Sequence, residues 1–393
     1  MEKISCAIIR GMLSSLKNTE LVWVDQPEKL TAVAKELAAQ DILAVDTESN
    51  SLYVYQEQVC LIQFSTRDKD ILIDTLALTD LSPLEPVFAS EKILKVFHAA
   101  EYDLICLFRD YGFQFDFLFD TMIAARTLGY TQIGLGALLE NHFSIQMEKK
   151  YQRANWGKRP VKPEMLEYAR LDSHYLIPLQ QILRKELEDS GRWELALEDF
   201  RRATHGIQDT TGSSEEDFWK LRGARDMSPE TAAVLKALYQ FRETQAEAQN
   251  RPPFKVISNQ ALVDIAQTHP KYKEELTLLP SLNERQANRY GRKIMQAVQA
   301  GEKANPEYPP HHKRPAKSVL ARVDALREWR KVTGEQLGVP SDVILPKDVL
   351  TRIAWDGPKD LSKLEAEMQD VPYRFKRFGE DILNVVLMGV DPY

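Results

Sequence analysis

Two copies of one pattern in the second half of the chain constrain its fold more than any other feature. Five short apolar or aromatic stretches recur at a constant offset of 88 positions. The pairs are Phe241-Arg242 with Trp329-Arg330, Val256-Ile257 with Ile344-Leu345, Leu262 with Leu350, Ile265-Ala266 with Ile353-Ala354, and Tyr290-Gly291 with Phe378-Gly379. A fixed offset over this length indicates a duplicated domain. The helix-length amphipathic segments from about Phe200 onward predict that both copies are helical.

The first half of the chain has a different pattern. Between Leu21 and Asp199, strand-like runs come mostly first and helical stretches follow. The runs are residues 21–24, 42–45, 59–64, 71–73 and 93–97. This arrangement predicts a mixed α/β domain built around a central sheet. With 393 residues, the chain is long enough for two or three domains, each with its own core.

Two acidic residues stand where one of these strands ends. Asp46 and Glu48 follow the apolar run 42–45, and residues two apart on a strand share a face. Adjacent carboxylates repel each other unless a cation lies between them, and oxygen ligands suit a hard ion such as Mg²⁺ or Mn²⁺. The alternative is a pair of solvated loop acids, because D-x-E is a common sequence.

Further acids lie in two predicted helices. The run 93–97 leads into a helix that would carry Asp103 in its first turn. Another helix is predicted to begin near Pro163, since proline favours the first helical position. Tyr168 and Asp172 lie four residues apart on it and therefore share a face. Taken alone, each acid also fits a surface position on an amphipathic helix.

Together these residues resemble the DEDDy exonucleases in order and spacing: D-x-E, then an Asp after a His-containing strand end, then Tyr-x-x-x-Asp. Residues 96–104 resemble the second motif of the ribonuclease D family, with His98 where polymerase-type proofreading exonucleases usually carry Asn. Phe119-Asp120-Thr121 and Trp156-Gly157-Lys158-Arg159-Pro160 resemble the same family. Ala154-Asn155 depart from it, because relatives more often have Ser-Asp on that substrate-side loop.

The two helical copies are similar to HRDC domains, the module named after RecQ-type helicases and ribonuclease D. Arg251-Pro252-Pro253-Phe254 and Arg289-Tyr290-Gly291 carry the resemblance in the first copy. The second copy is more diverged, with Gly338-Val339-Pro340 and Arg377-Phe378-Gly379 still in register. The resemblance implies an α/β ribonuclease-H-like exonuclease domain followed by two all-α HRDC-like helical domains.

We therefore expect six segments along the chain. They are an N-terminal extension (1–20), the DEDDy exonuclease domain (21–205), a linker helix region (206–227), the first HRDC-like domain (228–303), a Pro-rich linker (304–316) and the second HRDC-like domain (317–393). The sequence Asn305-Pro306-Glu307-Tyr308-Pro309-Pro310 within the linker is typical of a stiff spacer.

The resemblance also implies an activity and a set of site residues. It implies a metal-dependent 3′-5′ exoribonuclease that releases nucleoside 5′-monophosphates and trims tRNA precursors and other structured RNAs with single-stranded 3′ ends. The implied catalytic residues are Asp46, Glu48, Asp103, Tyr168 and Asp172. The four carboxylates would hold two divalent ions, Mg²⁺ or Mn²⁺, and two ions about 4 Å apart supply a nucleophile, a phosphate clamp and leaving-group stabilisation.

Roles within that set can be assigned. We expect Asp46 to bridge the two ions because it leaves the strand first, with Glu48 and Asp172 on one ion and Asp103, through water, on the other. An unperturbed phenol has a pKa of about 10. Tyr168 is therefore expected to orient the attacking water rather than to act as a general base at neutral pH.

Charge is distributed unevenly. The formal net charge of −7 and an isoelectric point near 5.7 argue against bulk attraction to nucleic acid, so local basic stretches must hold phosphates. Cations interleaved with Tyr151 and Trp156 suit a single strand, whose bases stack on aromatic faces. The cations are Lys149, Lys150, Arg153, Lys158, Arg159 and Lys162. A second stretch, 285–317, has eight basic residues against two acidic ones.

These observations lead to a set of expected RNA contacts. The residues are His98, Trp156, Arg159, Arg289, Arg292 and Lys293. The alternatives are a solvated basic loop in the first half and an inert helical appendage in the second.

Cysteine content and hydropathy limit the compartment. Three cysteines, none in a C-x-x-C pair, indicate neither a disulfide framework nor a zinc site of ordinary spacing. No run reaches transmembrane length, and residues 1–13 lack the features of a signal peptide. We expect a cytoplasmic monomer that binds RNA and no membrane.

Two other classes of function remain open. One is a DNA 3′-5′ exonuclease of the Werner or proofreading type, and the other is a non-catalytic RNA-binding scaffold. A nucleotide-binding oxidoreductase or a kinase is not supported, because neither G-x-G-x-x-G nor G-x-x-x-x-G-K-[ST] occurs.

Overall fold

The computed structural model describes residues 19–205, 207, 216–310 and 315–388. Cys6, nearly all of the expected N-terminal extension, part of the expected linker helix region, and Lys313 and Arg314 lie outside the described residues. The chain divides into two compact units, which are described separately. The first comprises residues 1–48, 59–209 and 314–393, and the second comprises residues 49–58 and 210–313.

A six-stranded sheet forms the centre of the first unit. Its strands are β1 (Glu20–Val24), β2 (Ile42–Ser49), β3 (Val59–Ser65), β4 (Lys69–Asp74), β5 (Leu94–Phe97) and β6 (Leu118–Asp120). Their order is β1-β4-β3-β2-β5-β6, with β1 parallel to β4, β3 antiparallel to β4, and β5 parallel to β2 and β6. The predicted mixed α/β domain is confirmed. The sequence does not predict β6, because three residues are too few to show a period.

Helices pack on both faces of this sheet. They are α1 (Pro27–Ala38), α2 (Glu85–Phe88), α3 (Glu101–Tyr111), α4 (Thr121–Leu128), α5 (Leu135–Phe143), α6 (Pro163–His174), α7 (Leu176–Asp189) and α8 (Trp193–Thr204). Side chains of β2 alternate between two cores: Leu43 and Val45 join residues of α1 and α3, whereas Ile42 and Ala44 join residues of α4, α7 and α8.

The first helical copy belongs to the second unit. Its helices are α9 (Pro229–Ala248), α10 (Pro253–Val256), α11 (Asn259–Thr268) and α12 (Glu284–Glu302). In its core the rings of Phe241 and Tyr290 meet edge to face, with centroids 6.3 Å apart. The loop 49–58 also belongs to this unit, and its Tyr55 N–H donates to Asn250 Oδ1 at 3.1 Å. The Pro-rich linker begins on the same copy, where Glu307 N–H donates to the Pro229 carbonyl at 2.9 Å.

The second helical copy belongs to the first unit. Its helices are α13 (Lys317–Leu337), α14 (Ser341–Ile344), α15 (Lys347–Asp356), α16 (Leu361–Glu367) and α17 (Pro372–Met388). Trp329 and Phe378, the counterparts of Phe241 and Tyr290, also meet edge to face, at 5.9 Å. Equivalent aromatic pairs thus pack in the same way in both copies, as the predicted duplication of a helical domain requires.

A buried arginine joins the second copy to the exonuclease domain. The Arg374 side chain of α17 is 0% exposed and donates to Glu198 Oε2 and Asp199 Oδ2 of α8, each at 2.8 Å. It also donates to the carbonyl of Val343. Arg126 of α4 pairs with Asp342 at 2.7 Å. These contacts explain why the second copy and the exonuclease domain form one compact unit.

Candidate active site

Asp46 and Glu48 project from the central strand β2. The strand runs through to Ser49, so both residues lie within it rather than beyond its end. Their alternation continues the face of Ile42 and Ala44, which is the face covered by α4, α7 and α8. Both carboxylates are half-buried. The sheet therefore presents two acidic side chains side by side on one face, as the sequence predicts.

Asp103 lies in the first turn of α3, as predicted. Its Oδ1 accepts a hydrogen bond from the hydroxyl of Thr47, the residue between Asp46 and Glu48. The turn before α3 is held by Asp120, whose Oδ1 and Oδ2 accept from Ala99 N–H at 3.1 Å and Ala100 N–H at 2.7 Å. Asp120 thereby fixes the start of the helix that carries Asp103.

Tyr168 and Asp172 share a face of α6, whose first residue is Pro163. The Tyr168 hydroxyl and the Asp172 carboxylate lie close enough to shift each other's pKa. Burial first, and then Asp172 and Glu48, raise the pKa of Tyr168 far above its usual range. The hydroxyl thus keeps its proton at neutral pH and serves as a hydrogen-bond donor.

The four carboxylates perturb one another. Burial, followed by the charges of Asp103, Asp172 and Glu48, raises the pKa of Asp46 well above its ordinary value. Burial and the charges of Asp172 and Asp103 do the same for Glu48. Burial is also the largest cause that raises the pKa of Asp103 and of Asp172 to about 7. The sequence predicted that these acids would lie together, and the structure places them within electrostatic reach of one another.

This group of side chains fits a hard divalent cation in chemistry. Four neighbouring carboxylates repel one another when all are ionised, and a bound metal cation would stabilise their ionised forms. Within the described residues, no three His, Cys, Asp or Glu side chains are already arranged as a ligand set.

A cavity of about 800 Å³ opens over these residues. Its lining includes Asp46, Glu48, Tyr168, Asp172 and His98. The segments 134–137 and 146–149, with Glu140 and Gln152, contribute the rest of the lining together with Thr47. Cavities of this size accommodate small-molecule ligands, and a nucleotide is within that range.

His98 lines the cavity, and its contact with substrate stays a prediction. Its Nδ1 lies 2.9 Å from Thr121 Oγ1. Burial lowers the pKa of His98, with the charge of Asp120 acting in the opposite sense. The ring is therefore neutral at pH 7, and its Nε2 is the nitrogen that can face a nucleotide.

Two residues predicted to contact RNA are already engaged within the protein. Trp156 is 1% exposed and lies against Tyr168, with ring centroids 6.2 Å apart, so it cannot stack on a base. Arg159 pairs with Asp74, with Nη2 and Oδ1 2.5 Å apart, and also donates to the Cys60 carbonyl. Trp156 therefore packs against the Tyr168 ring, and Arg159 ties the loop that carries both residues to β4. The sequence shows their residue types but not that the Trp156 ring and the Arg159 guanidinium are already engaged.

The basic residues predicted in the first copy are exposed on α12. Arg289 donates to Gln249 Oε1 and Lys293 to Gln245 Oε1, each at 2.9 Å. Arg292 is exposed on the same helix. These contacts are neutral, so the cationic charge of Arg289 and Lys293 is not cancelled by them.

Sequence reasoning missed several residues that shape the site. Asp120 was noted only within a family-like motif, and its four backbone hydrogen bonds depend on β6, which the sequence does not predict. Thr47 carried no signal beyond its place in D-x-E. The other lining segments, 134–137 at the start of α5 and the loop 146–149, were not identified either, because nothing in their sequence marks them as part of a site.

Comparison with known proteins places the chain among nucleases. Residues 21–188 match the 3′-5′ exonuclease family, and residues 231–298 and 319–386 match the HRDC domain. Both ends of the two HRDC matches differ by 88 positions, which confirms the repeat. Ribonuclease D of Nitrobacter hamburgensis is 31% identical, over 90% of this chain and 92% of that protein.

Two further relatives differ in how much they cover. The Saccharomyces cerevisiae exosome complex exonuclease RRP6 is 35% identical over 63% of this chain, but only 36% of that longer protein is matched. The crystal structure of Escherichia coli RNase D has a TM-score of 0.69 at 22% identity, and the match covers 94% of this chain and 99% of that one. The shared fold therefore extends through both helical copies.

Proposed function

The chain belongs to the ribonuclease D family of 3′-5′ exoribonucleases, and from this premise we propose that it removes nucleoside 5′-monophosphates from 3′ ends at the site built by Asp46, Glu48, Asp103, Tyr168 and Asp172. The observation that carries the proposal is that Asp46, Glu48, Tyr168 and Asp172 line one cavity, where burial and the neighbouring carboxylates raise the pKa of Asp46 and Glu48. Strongly perturbed acids in a cleft are typical of catalytic sites.

Divalent metal is the proposed cofactor. Exonucleases of this type generally depend on a divalent ion, and we propose two, Mg²⁺ or Mn²⁺, held by Asp46, Glu48, Asp103 and Asp172. When bound, such ions supply an activated water and a counter-charge for the phosphate. Asp46 is the proposed bridging ligand, since the charges of all three other carboxylates act on it.

The chain's own groups have distinct proposed roles. The Tyr168 hydroxyl keeps its proton and lies beside Asp172, so it can hydrogen-bond a water molecule near the scissile phosphate. The neutral ring of His98 can hydrogen-bond the terminal nucleotide through Nε2 while Thr121 fixes its orientation. The segments 134–137 and 146–149 line the same cavity and are the proposed contacts for the 3′-terminal nucleotides.

The relatives that carry the names ribonuclease D and exosome exonuclease act on RNA. We propose that the substrates here are tRNA precursors and other structured RNAs with single-stranded 3′ ends. The first helical copy would hold the body of the RNA through Arg289, Arg292 and Lys293. The second copy has Arg377, Glu380 and Asp381 at the equivalent positions, which makes it a poor phosphate surface.

We further propose that the protein is a cytoplasmic monomer. The thiols of Cys60 and Cys106 are buried, and such thiols are typical of a reducing compartment. No helix among the described residues is both long and apolar enough to cross a membrane.

The proposal is tested with a 3′-tailed RNA and its DNA counterpart, each incubated with and without Mg²⁺. Asp46→Asn and Asp172→Asn are expected to abolish hydrolysis while RNA binding in Ca²⁺ survives, because the carboxylates hold metal and do not grip distant phosphates. Asp68→Asn, in the exposed turn between β3 and β4, is the matched control and should keep wild-type activity. Wild-type turnover by Asp46→Asn would remove the assignment, and equal cleavage of DNA would favour the DNA exonuclease.

A further inference from the structure

A buried carboxylate that does not face the cavity lies beneath the Tyr168 and Asp172 helix. Asp70 of β4 is 1% exposed. It lies on the sheet face that carries Leu72, against which Tyr168 and Ala169 of α6 pack. An ionised group at such a position requires several hydrogen bonds to remain charged.

Asp70 has these hydrogen bonds. Ser65 Oγ donates to Oδ1 at 2.6 Å, and Thr19 Oγ1 donates to Oδ2 at 2.8 Å. Arg170 Nη2 lies 2.9 Å from Oδ2. His174 Nδ1 lies 2.8 Å from Oδ2, and since an ionised carboxylate only accepts, this nitrogen carries the proton.

The same group is tied to α6 at a further point. Ser65 Oγ also lies 2.8 Å from Ser173 Oγ. The Asp70 cluster therefore comprises Thr19, Ser65, Asp70, Arg170, Ser173 and His174. Burial taken alone raises the pKa of Asp70, but the bonds from His174 and Ser65 outweigh it and leave the pKa below its ordinary value.

Three members of the cluster surround Asp172 in sequence. Arg170, Ser173 and His174 lie two before, one after and two after it on the same helix, and Tyr168 lies one turn earlier. We propose that the Asp70 cluster fixes the register of α6 on the sheet and thereby positions the Asp172 carboxylate and the Tyr168 hydroxyl. Asp70 and His174 act as positioning residues and touch neither substrate nor metal. This inference rests on the proposed function of Tyr168 and Asp172.

Stability alone does not account for the cluster. A buried ionic group is often no more stabilising than apolar side chains of the same volume. Hydrogen bonds with defined distances supply what apolar packing does not, namely a single angular position of the helix about its axis. A displacement of about 1 Å at a catalytic group can cost about 10²-fold in rate.

Two substitutions of His174 separate positioning from packing. Removing Asp70 itself would take away one of the two carboxylate partners of Arg170 and would change packing and positioning together. His174→Asn keeps an N–H near the place of Nδ1, whereas His174→Gln fills more of the ring volume but carries its N–H toward the place of Nε2. If His174 acts by positioning α6, His174→Asn should keep more of the rate and Mn²⁺ affinity than His174→Gln. If His174 acts only by filling space, His174→Gln should keep more.

The test measures four quantities on the full chain. They are the single-turnover rate on saturating 3′-tailed RNA with Mg²⁺, RNA affinity in Ca²⁺, Mn²⁺ affinity by electron paramagnetic resonance, and the thermal unfolding midpoint. His174→Gln is expected to lose about 10- to 100-fold in rate and to bind Mn²⁺ more weakly, with RNA affinity unchanged. His174→Asn is expected to stay close to wild type in rate and in Mn²⁺ affinity.

The inference is overturned if His174→Gln equals or exceeds His174→Asn in Mn²⁺ affinity, or if rates follow the unfolding midpoints alone. The Mn²⁺ measurement does not depend on catalysis. If the wild type bound Mn²⁺ but left RNA intact, the proposed function would fail while the order of the two variants still decided the role of His174. A wild type that bound no Mn²⁺ would overturn both.

Discussion

The hydroxyl of Tyr168 illustrates how burial decides the role of a single group. A phenol with an ordinary pKa is already a weak base at neutral pH, and burial beside Asp172 raises its pKa further. The structure therefore supports the expectation that this hydroxyl orients water and does not remove a proton from it.

Tyr168→Phe should slow the chemical step by roughly 10²-fold and leave RNA affinity almost unchanged, because only the orienting hydroxyl is lost. Single-turnover kinetics separate the two effects. Tyr151→Phe is a matched control, since its ring lies edge-on to Tyr168 at 5.7 Å. An unchanged single-turnover rate in Tyr168→Phe would make Tyr168 a packing residue.

Stability of the metal-free protein should depend on pH with a sign set by the same carboxylates. Burial raises the pKa of Asp103 and of Asp172 to about 7, whereas an unfolded Asp has a pKa of about 3.9. Between these values the folded chain holds protons that the unfolded chain has lost, so stability falls as pH rises through this window. The unfolding midpoint in chelator is expected to drop from pH 5 to pH 7.

A bound divalent metal should oppose the loss of stability that the metal-free protein shows as pH rises. Bound Mn²⁺ favours ionised carboxylates, so it should raise the unfolding midpoint more at pH 8 than at pH 5.5. The control is the double variant Asp103→Asn/Asp172→Asn, in which the two amides do not titrate. Its unfolding midpoint in chelator should change less with pH than that of the wild type. A profile of the same steepness in this double variant would show that other groups cause the pH dependence.

At the scale of elements, Asp120 joins the end of β6 to the starts of two helices. Its Oδ1 accepts from Met122 N–H at 2.7 Å and Ile123 N–H at 3.2 Å, which caps α4. The same carboxylate holds Ala99 and Ala100 ahead of α3. Ala99 has a φ of 60°, a left-handed conformation that non-glycine residues seldom adopt.

Asp120→Ala should cost about 2 kcal/mol or more in unfolding free energy, since buried backbone donors lose their acceptor. Chemical denaturation measures it. The matched control is Asp360→Ala, which removes an N-cap with one exposed backbone partner, Lys363 N–H at 3.0 Å, and should cost about 1 kcal/mol. Equal costs for the two substitutions would contradict the linking role of Asp120.

Elements differ in how far the sequence predicts them. The strand that carries Asp46 is predictable because it begins with a run of four apolar residues. The helix that carries Tyr168 is predictable because Pro163 marks its start. β6 is not, because its register depends on β5 and not on its own three residues. The salt-bridge partner of Arg159 is not predictable for a related reason. Asp74 lies 85 positions away, and a sequence does not show which carboxylate an arginine contacts.

At the scale of the whole molecule, the two helical copies have different surface residues, although their cores contain equivalent residues. The Phe241–Tyr290 and Trp329–Phe378 pairs are equivalent. Outside the core, Arg292 and Lys293 of the first copy correspond to Glu380 and Asp381 of the second. The sequence shows this difference once the offset is known, but it does not show that the second copy packs on the exonuclease domain.

Charge reversal of Arg289, Arg292 and Lys293 to Glu should raise the KM for tRNA precursors and leave short oligonucleotides nearly unaffected. For every RNA phosphate that the variant no longer binds, the slope of log affinity against log salt should fall by roughly 0.7 to 0.9. The matched control is the same reversal of Lys363, Lys376 and Arg377, which are exposed on the second copy. Equal effects on long and short substrates would return the first copy to an inert appendage.

The pairing of Arg374 with Glu198 has a consequence for synthesis. The two residues are 176 positions apart, and a ribosome adds about 5–20 residues per second. The acids on α8 therefore emerge roughly 10 to 35 seconds before their guanidinium. A product released before α17 lacks both the guanidinium and the helices that cover Glu198, so the acids of α8 are exposed to water. Leu195 of α8, which packs in the core of the second copy, loses its cover at the same time. We therefore expect chains that end before α17 to be more sensitive to proteolysis than the full chain, even though residues 46–172 have been translated.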